Sequence, residues 1–375
     1  MWIYSLLFLQ GLLNLWYIRL FLRYTRSWNN YSFTDSGKTL PVSDEVCILI
    51  ALRNEEKNLP RLFQFLDKQT YARKQFLFID DHSEDAGNEL IDAYCESHPN
   101  ARSIRLPEGI GGKKAALSYA MDHVHSEWIL CTDADTSMGP DWVLSMMQFA
   151  KDRDAVFVSG PVAMEEDGSW FSRWQALEFS GLIAIGGAGI FMDRPTMCNG
   201  ANLLYRREAF LQVGGFRGNE KIASGDDQFL MHRIHEQYPG RVHFCREQKA
   251  IVYTETQPTF RKFLSQRIRW ASKNGHFERK EVSTEMVGVW LVPAFLLLDL
   301  LLGFYAPLFF VAFFIFFFAK MLPERHFYKQ VLPFFQQAAL IKNFWISELV
   351  QVVYVAGIGL LGKFAAYEWK GRKHE

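Results

Sequence analysis

Hydrophobic positions along the chain form runs of two lengths. Long runs lie toward the ends: residues 2–18 are almost uncharged, residues 287–319 are interrupted by Pro293, Asp299, Gly303 and Pro307, and residues 344–361 carry Glu348 near their start. Short runs lie between them, at 46–51 (VCILIA), 76–79 (FLFI), 128–131 (WILC) and 155–159 (AVFVS), with helical periodicity in the gaps. A bilayer span needs roughly 17–25 apolar residues, which the first and last runs supply. As one helix the middle run would be on the order of 50 Å long, well beyond the roughly 30 Å hydrocarbon core, so it predicts a hairpin of two shorter helices or one bent helix. Short apolar runs alternating with helices predict an α/β domain with a doubly wound, mostly parallel sheet, because strands covered on both faces need no polar alternation. The expected organisation is an N-terminal anchor over 1–25, an α/β domain over 45–280, and two or three C-terminal spans within 286–362.

The first run is followed, not preceded, by basic residues: Arg19, Arg23 and Arg26. That is the reverse of a cleavable signal peptide, and the positive-inside rule places residue 30 onward in the cytosol. Basic residues are about equally frequent on both sides of the last run, so charge does not orient the tail. Overall, 41 Lys and Arg balance 41 Asp and Glu, which removes the positive field of a nucleic-acid binder. The five cysteines, Cys47, Cys95, Cys131, Cys198 and Cys245, are odd in number and contain no CxxC, so they read as reduced thiols rather than a disulfide framework or a zinc site.

Ligands of doubly wound sheets bind beyond the carboxyl ends of the strands. There the sequence places Arg53, Asn54 and Glu55 after VCILIA, Asp80 and Asp81 after FLFI, and Asp133 and Asp135 after WILC. A DxD is weak by composition, since about one is expected by chance. Asp152-Arg-Asp154 is a second match, but it precedes its apolar run, whereas Asp133-Ala-Asp135 directly follows one. Two carboxylates so placed can hold a hard divalent cation or be solvated turn residues. The GIGGKK stretch ahead of a helical segment either offers backbone N–H groups and Lys113 to a phosphate or merely caps a solvated helix, and it is not a Walker A sequence. In SGDD, Asp226 and Asp227 are neighbouring carboxylates suited to proton acceptance, although plain turn aspartates are the commoner case. Gln266, Arg269 and Trp270 occur as QRIRW in a basic stretch just before the middle apolar run, where a juxtamembrane helix with snorkelling Arg and an interfacial Trp is the plainer alternative.

In order, ALRNEE, FIDDHSED, GGKKAAL, CTDADT, NGANLLYRREAF, SGDDQFL and QRIRW resemble the family 2 inverting glycosyltransferases over residues 45–275. The resemblance implies a GT-A (nucleotide-diphospho-sugar transferase) domain, here flanked by N- and C-terminal transmembrane helices. It also implies a nucleotide-sugar donor, usually a UDP-sugar, and Mg²⁺ or Mn²⁺. Carried over by position, Ala51, Glu55 and Asp81 lie beside the nucleotide, and Lys113 contacts it. Asp133 and Asp135 hold the metal and diphosphate, and Asp227 is the catalytic base. Gln266 and Arg269 sit near the diphosphate and Trp270 under the acceptor sugar. The usual ED reads GDD here, with Asp226 in the place of Glu.

The resulting expectation is a protein of the inner or plasma membrane with a cytosolic catalytic domain. It would pass a sugar to a lipid-linked or glycan acceptor, without nucleic acid and with room for co-assembly with other membrane proteins. A processive polysaccharide synthase is the alternative within the family. A nucleotidyltransferase of related fold would share the acids and the glycine-lysine turn but has no use for QxxRW. A non-catalytic scaffold has no need to keep every acid.

Overall fold

The computed structural model describes residues 1–31, 43–218, 225–271, 280–364, 367–369 and 372–374. The chain begins with α1 (Trp2–Asn30) and continues through β1 (Val46–Leu52), α2 (Leu59–Asp67), β2 (Lys74–Asp80), α3 (Gly87–Ser97), β3 (Ala101–Arg105), α4 (Lys113–Met121), β4 (Trp128–Thr132) and β5 (Thr136–Met138). Next come α5 (Trp142–Asp152), β6 (Phe157–Ser159), β7 (Val162–Glu165), α6 (Trp170–Phe191), β8 (Leu203–Arg206), α7 (Arg207–Gln212), α8 (Asp226–Gln237), β9 (Val242–Phe244) and β10 (Val252–Glu255). The chain ends with α9 (Phe260–Ala271), α10 (Lys280–Leu302), α11 (Leu308–Val331), α12 (Phe344–Phe364) and a small hairpin of β11 (Tyr367–Trp369) and β12 (Arg372–His374). Two compact units result: a sheet unit of Ser32–Glu166 and Leu182–Thr256, and a helical unit of Met1–Tyr31, Asp167–Gly181 and Gln257–Glu375.

In the sheet unit seven strands run in the order β3-β2-β1-β4-β8-β6-β9, all paired parallel except for β8, which is antiparallel to both neighbours. β1 lies inside this sheet, and Val46 to Ile50 are fully buried, the expected fate of a continuous apolar run. Chain order reverses between β1 and β4: β1 leads to β2 and β3 on one side, and β4 returns to the other. That reversal is a topological switch point, where a crevice opens at the strands' carboxyl ends. A second sheet, β5-β10-β7, is tied by Arg61, which bridges Glu165 at 2.8 Å and Glu255 at 3.2 Å. Close packing in this unit depends on glycine at Gly186, where a Cβ would come within 2.6 Å of the Met197 carbonyl oxygen.

In the helical unit the middle apolar run is two helices: α10 ends at Leu302, a turn follows, and Pro307 caps α11. Proline suits that place because the first turn needs no N–H from it. Among the described residues, four helices are long and apolar enough to cross a membrane: Trp2–Asn30, Trp170–Phe191, Val282–Leu302 and Ala338–Leu360. Burial separates them. The apolar window of Trp170–Phe191 is 83% buried, against 22–28% for the other three, so α6 is a core helix by its surroundings and the others present apolar surface. The second half of α11 is charged, with Lys320, Glu324 and Arg325, and falls outside that set. All five cysteines are free thiols.

Candidate active site

The sheet unit gathers its acids at the carboxyl ends of β1, β2 and β4. Register sets Ala51 beside Ile79 and Leu52 beside Asp80, and the Asp81 N–H donates to the Leu52 carbonyl at 2.9 Å. The two aspartates then divide. Asp80 turns inward and accepts from the Ser83 N–H at 3.2 Å and the Asn88 side chain at 3.2 Å, closing the turn after the strand. Asp81 accepts from the Gly112 N–H at 2.9 Å, which fixes the glycine loop against the strand end. Glu55 lies just past β1, is 8% exposed, and bonds the Asn58 side chain at 2.6 Å at the start of α2.

Gly112 opens α4 with φ +95° and ψ 158°, a conformation in which only glycine is unstrained. The next residue, Lys113, reaches the Asp133 carboxylate at 2.5 Å and the Gly200 carbonyl at 3.5 Å. Asp133 follows β4, and the Thr136 hydroxyl donates to its carbonyl at 2.7 Å, which tightens the DxD turn. Asp135 is exposed.

Asp227 is the second residue of α8, entered through Gly225 in the left-handed region at φ +83°. One carboxylate oxygen accepts from the Gly200 N–H at 3.1 Å and the other from its neighbour's N–H, on Gln228, at 2.8 Å. Asp81 is thus tied to the Gly112 backbone, the adjacent Lys113 to Asp133, and Lys113 through the Gly200 carbonyl and N–H to Asp227. Ser224 and the side chain of Asp226 lie outside the described residues.

Gln266, Arg269 and Trp270 belong to the helical unit, on α9, and all three are half-buried. Trp270 packs against the Phe179 ring at 5.9 Å between centroids. The rest of the basic stretch, residues 272–279, is outside the described residues. The second DxD has a surface role: Asp154 takes a positive φ of 46° and pairs with Arg241 at 2.5 Å.

Sequence reasoning passed over Gly200 and Asn202. Asn202 is fully buried and uses both ends of its amide: Nδ2 donates to the Pro161 and Ala250 carbonyls at 2.9 Å, and Oδ1 accepts from Trp142 at 3.0 Å. It pins the loop that brings Gly200 between Lys113 and Asp227. The NGAN string was visible, yet a backbone role leaves no chemical signature in a side chain.

Asp133, which pairs with Lys113 at 2.5 Å, and the exposed Asp135 are oxygen donors of the kind a hard cation takes. Mg²⁺ is ordinarily held by one or two carboxylates together with phosphate oxygens and water, so two hard oxygen donors beside the Lys113 turn fit it. No group of three His, Cys, Asp or Glu side chains converges among the described residues.

Residues 47–214 match glycosyl transferase family 2. The chain is 26% identical over 214 residues to the beta-monoglucosyldiacylglycerol synthase of Synechocystis sp., covering 54% of this chain and 42% of that protein. It is 23% identical over 233 residues to the poly-beta-1,6-N-acetyl-D-glucosamine synthase of Staphylococcus epidermidis, covering 62% and 54%. The chain thus spans about half the length of the curated relatives it matches. A mannosyltransferase from Pyrobaculum calidifontis, solved in complex with GDP-Man and Mn²⁺, aligns with a TM-score of 0.56 over 93% of this chain and 98% of that one, at 16% identity. That likeness shows the fold, an α/β sheet of the GT-A type, as expected from the sequence.

Proposed function

We propose, from the premise that residues 47–214 of this chain are a glycosyl transferase family 2 domain, that it moves a sugar from a nucleotide-diphospho-sugar, a UDP-sugar, to a lipid-linked or glycan acceptor with inversion. The observation that carries this reading is the convergence on the Gly112-Lys113 turn of three carboxylates: Asp81 bonds the Gly112 N–H, Asp133 pairs with Lys113, and Asp227 is joined to Lys113 through Gly200. It supplies, within one crevice, a nucleotide-end carboxylate, a cation and a proton acceptor.

In this reading Asp81 and Ala51 flank the nucleobase, with Glu55 shaping the turn beside them, and Lys113 meets the diphosphate. The Asp227 carboxylate takes the proton of the acceptor hydroxyl as the acceptor oxygen bonds to the anomeric carbon. The bond from that carbon to the diphosphate breaks, and its electron pair leaves with the diphosphate. Backbone N–H groups of Gly200 and Gln228 hold the carboxylate in place, so orientation is set before the acceptor arrives. Asp133 and Asp135 would hold a Mg²⁺ or Mn²⁺ ion, which would supply positive charge against the departing diphosphate. The family pattern assigns Gln266 and Arg269 to the diphosphate as further donors, and Trp270 to the acceptor sugar as a stacking face.

Exposed apolar side chains on the candidate spans, Phe8 on α1 and Leu301 on α10 among them, support an integral membrane protein. Arg19, Arg23 and Arg26 support a cytosolic sheet unit, where nucleotide-sugars are available. The matched relatives are named for a glycolipid product and a polymer, so product length separates a single transfer from processive synthesis. The deciding experiment incubates purified protein with a panel of UDP- and GDP-sugars, with and without Mg²⁺ or Mn²⁺. Released nucleoside diphosphate is scored, and glycolipid and glycan products are sized. No release above that of Asp227→Asn with any donor, or full release in excess EDTA, would count against the reading and against its metal respectively. A cysteine at Asn30 labelled from outside sealed cells would overturn the cytosolic orientation.

A further inference from the structure

QRIRW contains a second arginine, Arg267, which the roles given above leave unused. Its side chain is 2% exposed, the deepest of the motif. The guanidinium makes several contacts inside the helical unit. Nη2 donates to Glu178 Oε2 on α6 at 2.5 Å, and Nη1 donates to the Gln266 side-chain oxygen at 3.2 Å. Its central carbon lies over two rings, 4.2 Å from the Trp270 centroid and 4.8 Å from that of Phe263. Glu178 is anchored in turn, since its other oxygen accepts from the Tyr354 hydroxyl of α12 at 3.3 Å.

Burial of a single ion pair is poor design for stability alone, because desolvation offsets the attraction and apolar residues of the same size serve as well. Here the pair is also not saturated: Arg267 Nε is buried without a hydrogen-bond partner. The guanidinium forgoes that bond and keeps an orientation that faces Glu178, Gln266 and the Trp270 ring at once. A planar fork can do this, whereas an ammonium would meet one partner at a time.

We propose that Arg267 is the positioning residue of this segment: anchored by Glu178 and Tyr354, it fixes the ring plane of Trp270, and with it the stacking of the acceptor sugar. The inference rests on the proposed function, specifically on Trp270 as the acceptor platform. Arg267 touches neither donor nor acceptor and acts through the ring it covers.

The test uses the full-length protein in detergent. Glu178→Leu with Arg267→Met removes both charges together and strands neither. Its unfolding temperature is expected to stay within a few degrees of wild type and its donor KM within threefold. The kcat/KM for the acceptor is expected to fall fivefold or more, through a higher acceptor KM. A purely structural role would instead shift the unfolding temperature and both substrates together, and that result, or an acceptor kcat/KM reduced less than fivefold in a folded variant, overturns the proposal. Arg267→Lys is expected to remain impaired fivefold or more, because charge without the planar fork does not hold the ring; full rescue by Lys overturns the geometric argument.

Trp270→Ala is run in parallel. If it transfers like wild type, the acceptor-platform reading itself has failed; if it is inactive while the double variant transfers normally, only the role of Arg267 has failed. Should the double variant not fold, Tyr354→Phe carries the test, since it leaves the ion pair intact and frees one Glu178 oxygen. A twofold or greater rise in acceptor KM at unchanged donor KM supports the proposal, and a smaller rise overturns it.

Discussion

The Lys113–Asp133 pair of the sheet unit stays partly in water, while the Lys320 network of the helical unit is sealed among its own partners. Lys113 and Asp133 keep 22% and 36% of their side-chain surface, and around them Asp81, Asp135 and Asp227 add negative charge. Lys320 on α11 keeps 4%, and the carboxylates it bridges, Glu324 at 2.7 Å and Glu348 at 2.5 Å, keep 5% and 6%. The Tyr17 hydroxyl of α1 also donates to Glu324, and Gln10 of α1 bonds Asp299 of α10 at 2.6 Å. The first arrangement leaves acids reachable by a donor and a cation. The second joins α1, α10, α11 and α12 where no solvent can take a partner's place, and polar residues so placed act as glue between helices. Removing a charge should therefore cost activity in one unit and stability in the other.

The largest effect is expected from Asp227→Asn, which keeps the shape and one of the two backbone N–H bonds, from Gly200 or Gln228, but cannot accept a proton. Turnover should fall by roughly 10²–10⁴, the usual worth of a general base, with unchanged unfolding temperature and donor affinity. Retention of more than a few per cent of turnover would place the base elsewhere. Next comes Lys320→Met, which leaves two carboxylates buried without their cation and should destabilise the protein by about 3–5 kcal/mol. Adding Glu324→Gln and Glu348→Gln should restore most of that loss in a thermal melt. If Lys320→Met melted like wild type, or Asp227→Asn melted early, the contrast between the units would collapse.

The same contrast explains what could be read from the sequence. β1, β2 and β4 were legible as VCILIA, FLFI and WILC because burial on both faces demands unbroken apolar runs, and their polar followers came with them. β3 was not, because its ARSIR run sits at the edge of the sheet, with Arg102, Ser103 and Arg105 exposed. β8 (LLYR) is also short, and nothing in four residues announces an antiparallel partner for β4. Hydropathy alone could not tell α6 from a span, since it counts apolar residues without showing what covers them. Arg267 was hidden for another reason: its partner Glu178 lies 89 residues away, and the motif treats its position as variable. The acids of the crevice were individually readable, whereas the link through Gly200 needed the folded chain.

A smaller effect in the sheet unit comes from Lys113→Met. Charged hydrogen bonds are worth about 1.5–3 kcal/mol, so donor KM should rise roughly 10- to 100-fold. The melt should stay unchanged, because a pair this exposed adds little to stability. Unchanged donor KM would remove Lys113 from the diphosphate and leave it as a mere counter-charge to Asp133.

The smallest effect sharpens the comparison most, because it separates loop shape from charge. At Gly112 a Cβ would meet nothing within 4 Å, so Gly112→Ala introduces no clash and its cost is conformational only. At φ +95° and ψ 158°, a region open essentially to glycine only, that strain is about 1–3 kcal/mol for an L-residue. The loop can bear it in the native shape, lowering the unfolding temperature slightly. Alternatively it can relax to negative φ, which swings the Gly112 N–H off Asp81 and moves Lys113, the next residue, away from Asp133. Because the loop is at the surface and its neighbours are charged rather than packed, relaxation is the easier route. The expected outcome is a several-fold rise in donor KM with a melt within a degree or two of wild type. A lower melt at unchanged KM would mean that the loop keeps its shape under strain. Rigidity of the turn, rather than the charges it carries, would then be what the sheet unit contributes at this point.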